Sequence, residues 1–227
     1  MRPEGPPRTR TFKMQQAKPR KTPDMRQERA LIRRGHALVA GIDEAGRGAW
    51  AGPVVAAAVI LPGGAMRLAA LRGVRDSKLL TPKQREALFP TIQELAVGVG
   101  VGMASHAEID ALGIVPATRL AMRRAVEQLE TSPDALLIDA LKLPDVPLPQ
   151  RSLFHADTLC LSVAAASIIA KVTRDHLMME LDTQYSGYGF ARHKGYGTQI
   201  HQQALARLGP SAIHRMTFEP VRALKHE

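Results

Sequence analysis

Gly41-Ile42-Asp43-Glu44-Ala45-Gly46-Arg47-Gly48-Ala49-Trp50-Ala51-Gly52-Pro53 is the stretch on which the fold is read: an apolar run stops at two acids, then enters a glycine-rich turn around one arginine. Upstream, Leu38-Val39-Ala40-Gly41-Ile42 is short, apolar and partly β-branched, as a buried strand would be, and Val54 to Leu61 resumes in the same way after the turn. The order is strand, charged turn, strand. Successive side chains on a strand face opposite ways, so Asp43 and Glu44 are expected to share a site only if regular strand geometry ends between them. Gly46 and Gly48 permit positive φ and close approach of the backbone to a ligand, and Arg47 adds a fixed charge there. Acids and glycines also crowd ordinary turns, and that reading competes for any shorter piece of the stretch.

The pattern of an apolar run ending at an acid returns twice. Ala135-Leu136-Leu137-Ile138-Asp139 repeats the arrangement of Asp43, and Ser152-Leu153-Phe154-His155-Ala156-Asp157 is expected to be a further short strand ending in an acid. Asp139 could instead be a helix cap or turn former. Ala140 follows Asp139, so the backbone there is expected to avoid positive φ, which a residue with a Cβ adopts only under strain. Proline-rich Leu143 to Gln150 reads as a surface connection. An alanine-rich helix is expected from Ser162 to Asp182, its small residues allowing close approach to the sheet. Asp175 lies inside that helix, about 20 Å along its axis from Ser162, better placed for a structural pairing than for a site shared with Asp157.

Other segments set the remaining elements. Pro62-Gly63-Gly64 is a turn, and Asp76-Ser77-Lys78 precedes a helix start with Thr81 as cap, Pro82 at the first helical position and Gln84 three residues after the cap. Ala96 to Met103 alternates Val and Gly, a strand whose glycines point to close packing or a bend. Ser105-His106-Ala107-Glu108 opens a helix in which His106 and Glu108 are solvated or capping groups, and Pro116 to Leu129 is a longer one. Tyr188-Gly189-Phe190-Ala191-Arg192-His193-Lys194-Gly195-Tyr196 interleaves basic and aromatic side chains, which suits phosphate contact plus stacking on a sugar or base.

At 227 residues the chain is long enough to bury a full core as one domain. No apolar run reaches the roughly eighteen residues of a membrane-spanning helix, and the expected setting is soluble and cytoplasmic. The single cysteine, Cys160, excludes an internal disulfide and a thiolate metal cluster; its apolar neighbours suggest a small buried side chain. Net charge is +10, but residues 1 to 34 hold eleven Lys or Arg against Glu4, Asp24 and Glu28, hence +8 of it. This defines a basic arm over 1–34, largely disordered over its proline-rich first part and closing in a short helix from Asp24 to Arg34 that Gly35 ends. Such an arm could add salt-sensitive affinity for phosphates or simply keep the protein soluble. The globular domain spans 35–227.

Several of these blocks, in this order, resemble bacterial ribonuclease HII. Asp43-Glu44-Ala45-Gly46-Arg47-Gly48 is similar to its signature; Asp76-Ser77-Lys78, Ala164 to Lys171, His193-Lys194-Gly195-Tyr196-Gly197-Thr198 and His214-Arg215-Met216-Thr217-Phe218 match later blocks, so the resemblance covers residues 36 to 220. The chain departs from the family pattern at Gly113, where asparagine is common, and at Ala140, where glycine is usual. The resemblance implies a ribonuclease H-like α/β fold, with a mixed sheet of about five strands flanked by helices and a C-terminal helical region. It implies that Asp43, Glu44, Asp139 and Asp157 are catalytic and hold metal. Four carboxylates brought to one sheet edge repel one another, and hard divalent cations with oxygen ligands resolve this, so two ions of Mg²⁺ or Mn²⁺ are expected; no histidine or cysteine cluster argues for zinc. Substrate contacts fall to Gly46, Arg47 and Gly48 as readers of a 2′-hydroxyl, to Lys78 and Lys194 on the phosphate backbone, and to Tyr196 stacked on the next deoxyribose. The expected partners are RNA/DNA hybrids and duplex DNA containing ribonucleotides, cut 5′ to the ribonucleotide to leave 3′-hydroxyl and 5′-phosphate ends by a monomeric enzyme. The rivals are another metal-dependent nuclease of the same fold and a binding module with an inert acidic cluster.

Overall fold

The computed structural model describes residues 22–225, and the expectation for the first part of the basic arm lies outside them. In chain order the elements are α1 (Arg26–Ile32), β1 (Val39–Ala45), β2 (Val54–Ile60), α2 (Ala65–Ala70), α3 (Pro82–Leu95), β3 (Gly98–Ala104), α4 (His106–Leu112), α5 (Ile114–Glu127), β4 (Ala135–Asp139), β5 (Gln150–Leu153), α6 (Ala156–Leu159), α7 (Leu161–Gln184), α8 (Phe190–His193) and α9 (Gln199–Leu208). The sheet runs β3-β2-β1-β4-β5, antiparallel from β3 to β1 and parallel from β1 to β5. This is the expected mixed five-stranded sheet.

Helices cover both faces because the central strands are apolar on both. All seven residues of β2 are buried. On one face α7 packs across β1 and β2; on the other α5 lies across β3 and β2. The small residues read in the sequence set the spacing of both layers. A Cβ at Gly41 would lie 2.3 Å from the Ser162 carbonyl carbon, and Cβ atoms at Gly100 and Gly102 would meet the α5 carbonyls of Ala125 and Ala121 at 2.1 and 2.2 Å. The glycines of β3 are therefore sites of close backbone approach.

Local signals hold where hydrogen bonding is local. Thr81 and Gln84 form a reciprocal capping box on α3, and Ser105 and Glu108 form one on α4, so Glu108 is a capping group as expected. The helix cap falls on Met25, one residue after the expected Asp24, which accepts the Arg26 N–H at 2.9 Å, and α1 ends before Gly35 at φ 95°. Glu28, 1% exposed, accepts both the N–H and the hydroxyl of Ser162, which fastens α1 onto the first turn of α7.

Two expectations are corrected. Ala140 adopts φ 55°, a left-handed conformation, while its N–H donates to the Leu153 carbonyl at 3.0 Å. Pairing of β4 with β5 imposes this bend, and the strain is accepted. Ala140→Gly is therefore expected to raise stability by about 0.5–1 kcal/mol, because an exposed Cβ contributes strain and little packing; a lower midpoint in urea would show that Ala140 is not strained. Asp157 does not end a strand: β5 stops at Leu153, His155 turns the chain at φ 57°, and Asp157 sits on the single turn of α6. The strand reading ran past its true end because the turn residues Phe154 and His155 carry no glycine or proline to mark it.

Candidate active site

The parallel register of β1 and β4 pairs Ile42 with Ile138, so Asp43 and Asp139 emerge side by side at the carboxyl edge of the sheet. On the β2 side regular pairing continues past both acids, as Asp43 with Ala57, Glu44 with Ala56 and Ala45 with Val55. On the β4 side pairing stops at Ile42, and both acids still act electrostatically on Asp139 in the gap beyond. Asp157 is brought in by the turn after β5. Asp139 Oδ1 accepts the Ala156 N–H at 2.8 Å, which ties the base of α6 to the end of β4.

The cluster has the electrostatics of a site short of positive charge. Burial first, then Glu44 and Asp139, hold the Asp43 carboxyl well above its ordinary range. Burial raises Glu44 too, against the opposing pull of Arg47, whose guanidinium is 3.1 Å from Glu44 Oε1. Asp157 is pushed up to about 6 by burial, then by Asp76 and Asp139. Lys78 feels the opposite: burial works against its charge, but Asp43, Asp76, Asp157 and Asp139 together raise its pKa.

Those donors fit a hard divalent cation. Glu44 Oε2 is buried without a hydrogen-bond partner, and the raised carboxyls are the mark of oxygen ligands lacking counter-charge. Among the described residues no three ligating side chains already close around one point. Two of the carboxylates also accept backbone N–H groups, Asp43 Oδ1 from Glu44 and Asp139 Oδ1 from Ala156, both at 2.8 Å.

A cleft of about 320 Å³ opens beside the acids, lined by Glu44, Gly46, Arg47, Gly48, Lys78, Lys171 and Tyr196, among others. The ring of Tyr196 lies 5.4 Å from Lys171 Nζ and 5.3 Å from the Arg174 guanidinium carbon. Of the expected substrate residues, Lys194 does not line this cleft. Its ammonium folds back onto the Ala191 carbonyl, and its own carbonyl accepts from Arg174. The two glycines also differ: Gly46 has φ 94° and Gly48 does not take positive φ. Asp175 is engaged elsewhere, with Lys171 at 2.7 Å and Arg85 at 3.9 Å.

Four residues here were not singled out by sequence. Asp76 caps the turn of Lys78 at 2.9 Å and helps to push the Asp157 carboxyl up. Lys171, Arg174 and Arg215 also reach the cleft or its supporting loops. Their signal was present, as cations inside otherwise apolar or small-residue blocks, but the partners lie far away in sequence.

A mixed sheet flanked by helices, with carboxylates gathered at one strand edge beside a cleft of basic and aromatic groups, defines an acid-clustered nuclease of the ribonuclease H-like class. Residues 40–221 match the family model of Ribonuclease HII. The chain belongs to that family, whose members cleave RNA in RNA/DNA hybrids, and is accordingly a nuclease, a phosphodiester hydrolase. It is 57% identical over 200 residues to the Ribonuclease HII of Chloroflexus aurantiacus, covering 88% of this chain and 94% of that one. It is 52% identical over 207 residues to that of Dehalococcoides mccartyi, covering 89% and 95%. Among solved structures, ribonuclease H2 from Pyrococcus horikoshii superposes with a TM-score of 0.70 at 29% identity, covering 83% of this chain and 97% of that one.

Proposed function

We propose that this protein hydrolyses the RNA strand of RNA/DNA hybrids and cuts duplex DNA on the 5′ side of an embedded ribonucleotide, leaving 3′-hydroxyl and 5′-phosphate ends. Asp43, Glu44, Asp139 and Asp157 would hold two Mg²⁺ or Mn²⁺ ions, which when bound supply an activated water and stabilise the leaving oxygen. The observation that carries the reading is the register pairing Ile42 with Ile138, since it sets Asp43 and Asp139 side by side, with Glu44 lining the cleft of Gly46, Lys78 and Tyr196.

The chain's own groups divide the remaining work. Lys78, held charged by the acids, neutralises a substrate phosphate next to the scissile bond. Arg47 fixes Glu44 through one oxygen and leaves the other free. The N–H groups of Arg47 and Gly48 make no hydrogen bond among the described residues, so they are available to the sugar edge of a ribonucleotide in the wide minor groove. Tyr196, backed by two cations, offers its face to the neighbouring deoxyribose. Lys194 serves from the rim, once its ammonium leaves Ala191. The enzyme would act as a cytoplasmic monomer in removing ribonucleotides from DNA; among the described residues no helix is long and apolar enough to cross a membrane.

The deciding experiment offers a DNA duplex with one ribonucleotide, an all-DNA duplex and a long hybrid, each with and without Mg²⁺ or Mn²⁺. Metal-dependent cutting 5′ to the ribonucleotide, with the DNA control intact, is expected. Equal cutting of the control would mean a different nuclease on this fold, and binding without cutting would mean an inert module. Within this scheme Asp157→Asn should lower kcat by about a hundredfold or more. Asp175→Asn should keep kcat within a few-fold and cost about 1 kcal/mol of stability through its lost pairs with Lys171 and Arg85. The reverse order of activities would move the fourth ligand to Asp175.

A further inference from the structure

Arg174 and Arg215 are both 0% exposed, and among the described residues neither has a carboxylate in ion-pair contact. Burial disfavours both charges most; Arg174 repels Arg215, and Tyr196, then Asp175 at Arg174 and Asp110 at Arg215, act in their favour. Two buried cations side by side are costly unless every donor is satisfied. Here backbone carbonyls satisfy them, and almost all belong to one segment. Arg215 donates to Gly46 at 2.7 Å, Arg47 at 2.8 Å and Gly52 at 3.0 Å. Arg174 donates to Pro53 at 2.9 Å, Ala51 at 3.1 Å and, from the other loop, Lys194 at 2.8 Å.

The consequence is directional. With the carbonyls of Gly46 and Arg47 drawn inward, the peptide planes between Gly46 and Gly48 present the Arg47 and Gly48 N–H groups away from the guanidinium. Backbone bonds and Arg174 join this turn to the tyrosine loop: the Trp50 N–H donates to the Gly195 carbonyl at 2.8 Å, the Arg215 backbone N–H to the Trp50 carbonyl at 2.8 Å, and the Arg174 guanidinium bonds the Lys194 carbonyl and lies 5.3 Å from the centre of the Tyr196 ring. Gly46 has no side chain because Arg174 fills that space; a Cβ would lie 2.0 Å from Arg174 Nε.

We propose that Arg174 and Arg215 are positioning residues for ribonucleotide recognition: they lock the 46–53 turn and the 194–196 loop into one rigid reader, aim two N–H groups at an acceptor oxygen on the sugar, and lend that oxygen a buried positive field. The inference rests on the proposed recognition of a ribonucleotide in duplex DNA. A lysine keeps the charge but cannot reach three carbonyls in a fixed fan, so Arg→Lys separates orientation from charge.

The test measures metal-free binding of the full-length chain to two duplexes of one sequence, all-DNA and with a single ribonucleotide, for the wild type, Arg174→Lys, Arg215→Lys and the double variant. The readout is the ratio of the two Kd values, which a partly unfolded population leaves unchanged. The wild-type ratio is expected to favour the ribonucleotide, each lysine variant to lose about tenfold of it, and the double variant to lose no more than either alone, because the two act on one unit. Folded variants that keep the wild-type ratio, or a wild-type ratio of one, would overturn the inference. Should neither variant fold, amide exchange on the wild type decides: Arg47 and Gly48 are protected by the ribonucleotide duplex alone, and equal protection by both duplexes overturns the assignment. Failure of the function itself reads out separately, as wild-type protein that does not cut 5′ to the ribonucleotide when Mg²⁺ is supplied.

Discussion

Asp139→Asn is expected to lower cleavage of a ribonucleotide-bearing duplex by about a thousandfold, equivalent to about 4 kcal/mol of transition-state stabilisation, while raising the thermal midpoint of the metal-free protein. Both halves follow from one geometry. Asparagine keeps an oxygen to accept the Ala156 N–H, so the tie between β4 and α6 survives. It removes a charge that raises both Asp43 and Asp157. A relief of about 1 kcal/mol corresponds to about 2–4 °C in a chain of this size. The pH dependence has a definite sign. Asp157 is pushed up to about 6 from an ordinary 3.8, so its contribution to stability is fully present below the lower value and lost as pH rises through the upper one. The metal-free wild type should therefore lose more stability than Asp139→Asn between pH 5 and pH 7.5, and added Mg²⁺ should restore the wild type selectively. Thermal melts of both proteins at the two pH values, with and without Mg²⁺, check this; a variant less stable than the wild type at pH 7.5 would give Asp139 a structural role.

Gly46→Ala and Gly48→Ala should behave as opposites in stability although they flank one arginine. At Gly46 the backbone has φ 94° and a Cβ would lie 2.0 Å from Arg174 Nε, itself buried and bonded to Pro53. Backbone strain of about 1–2 kcal/mol adds to overpacking of about 1–3 kcal/mol, enough to remove much of the stability of a typical domain. At Gly48 a Cβ meets nothing within 4 Å and φ is not positive, so the protein should fold with its midpoint within a degree or two. Its activity should nevertheless fall by about tenfold or more, mainly in KM, because the methyl group stands where the ribose approaches the turn. Urea melts and steady-state kinetics of the two variants separate the cases. Full activity in folded Gly48→Ala would remove the turn from substrate recognition.

The arginines show why part of the site was not legible in the chain. Arg174 sits in Lys171-Val172-Thr173-Arg174-Asp175 and reads as one more charge on a helix; its carbonyl partners are Pro53, Ala51 and Lys194, which no spacing rule connects to it. Asp76 read only as part of the loop before α3; it caps the turn of Lys78, and its action on Asp157 crosses from the α3 entry to α6. Ala140 misled in a different way. Its left-handed conformation is a cost that its own residue type argues against, and the pairing of β4 with β5 overrides that local preference.

By itself the sequence determined what depends on residue type and near neighbours: the strands around Asp43 and Asp139, the capping boxes of α3 and α4, the close-packed glycines of β3, the structural pairing of Asp175, and membership of a nuclease family through several ordered blocks. Period, capping and turn chemistry are short-range physics and are written in short stretches of chain. Only the tertiary structure decided that the strand continues through Glu44, that Asp157 comes from a helical turn, that Lys194 stands outside the cleft and that two buried arginines hold the 46–53 turn. Each of those depends on strand register or on hydrogen bonds between residues about 20 to 170 positions apart, and contacts of that range exist only once the sheet has closed its layers.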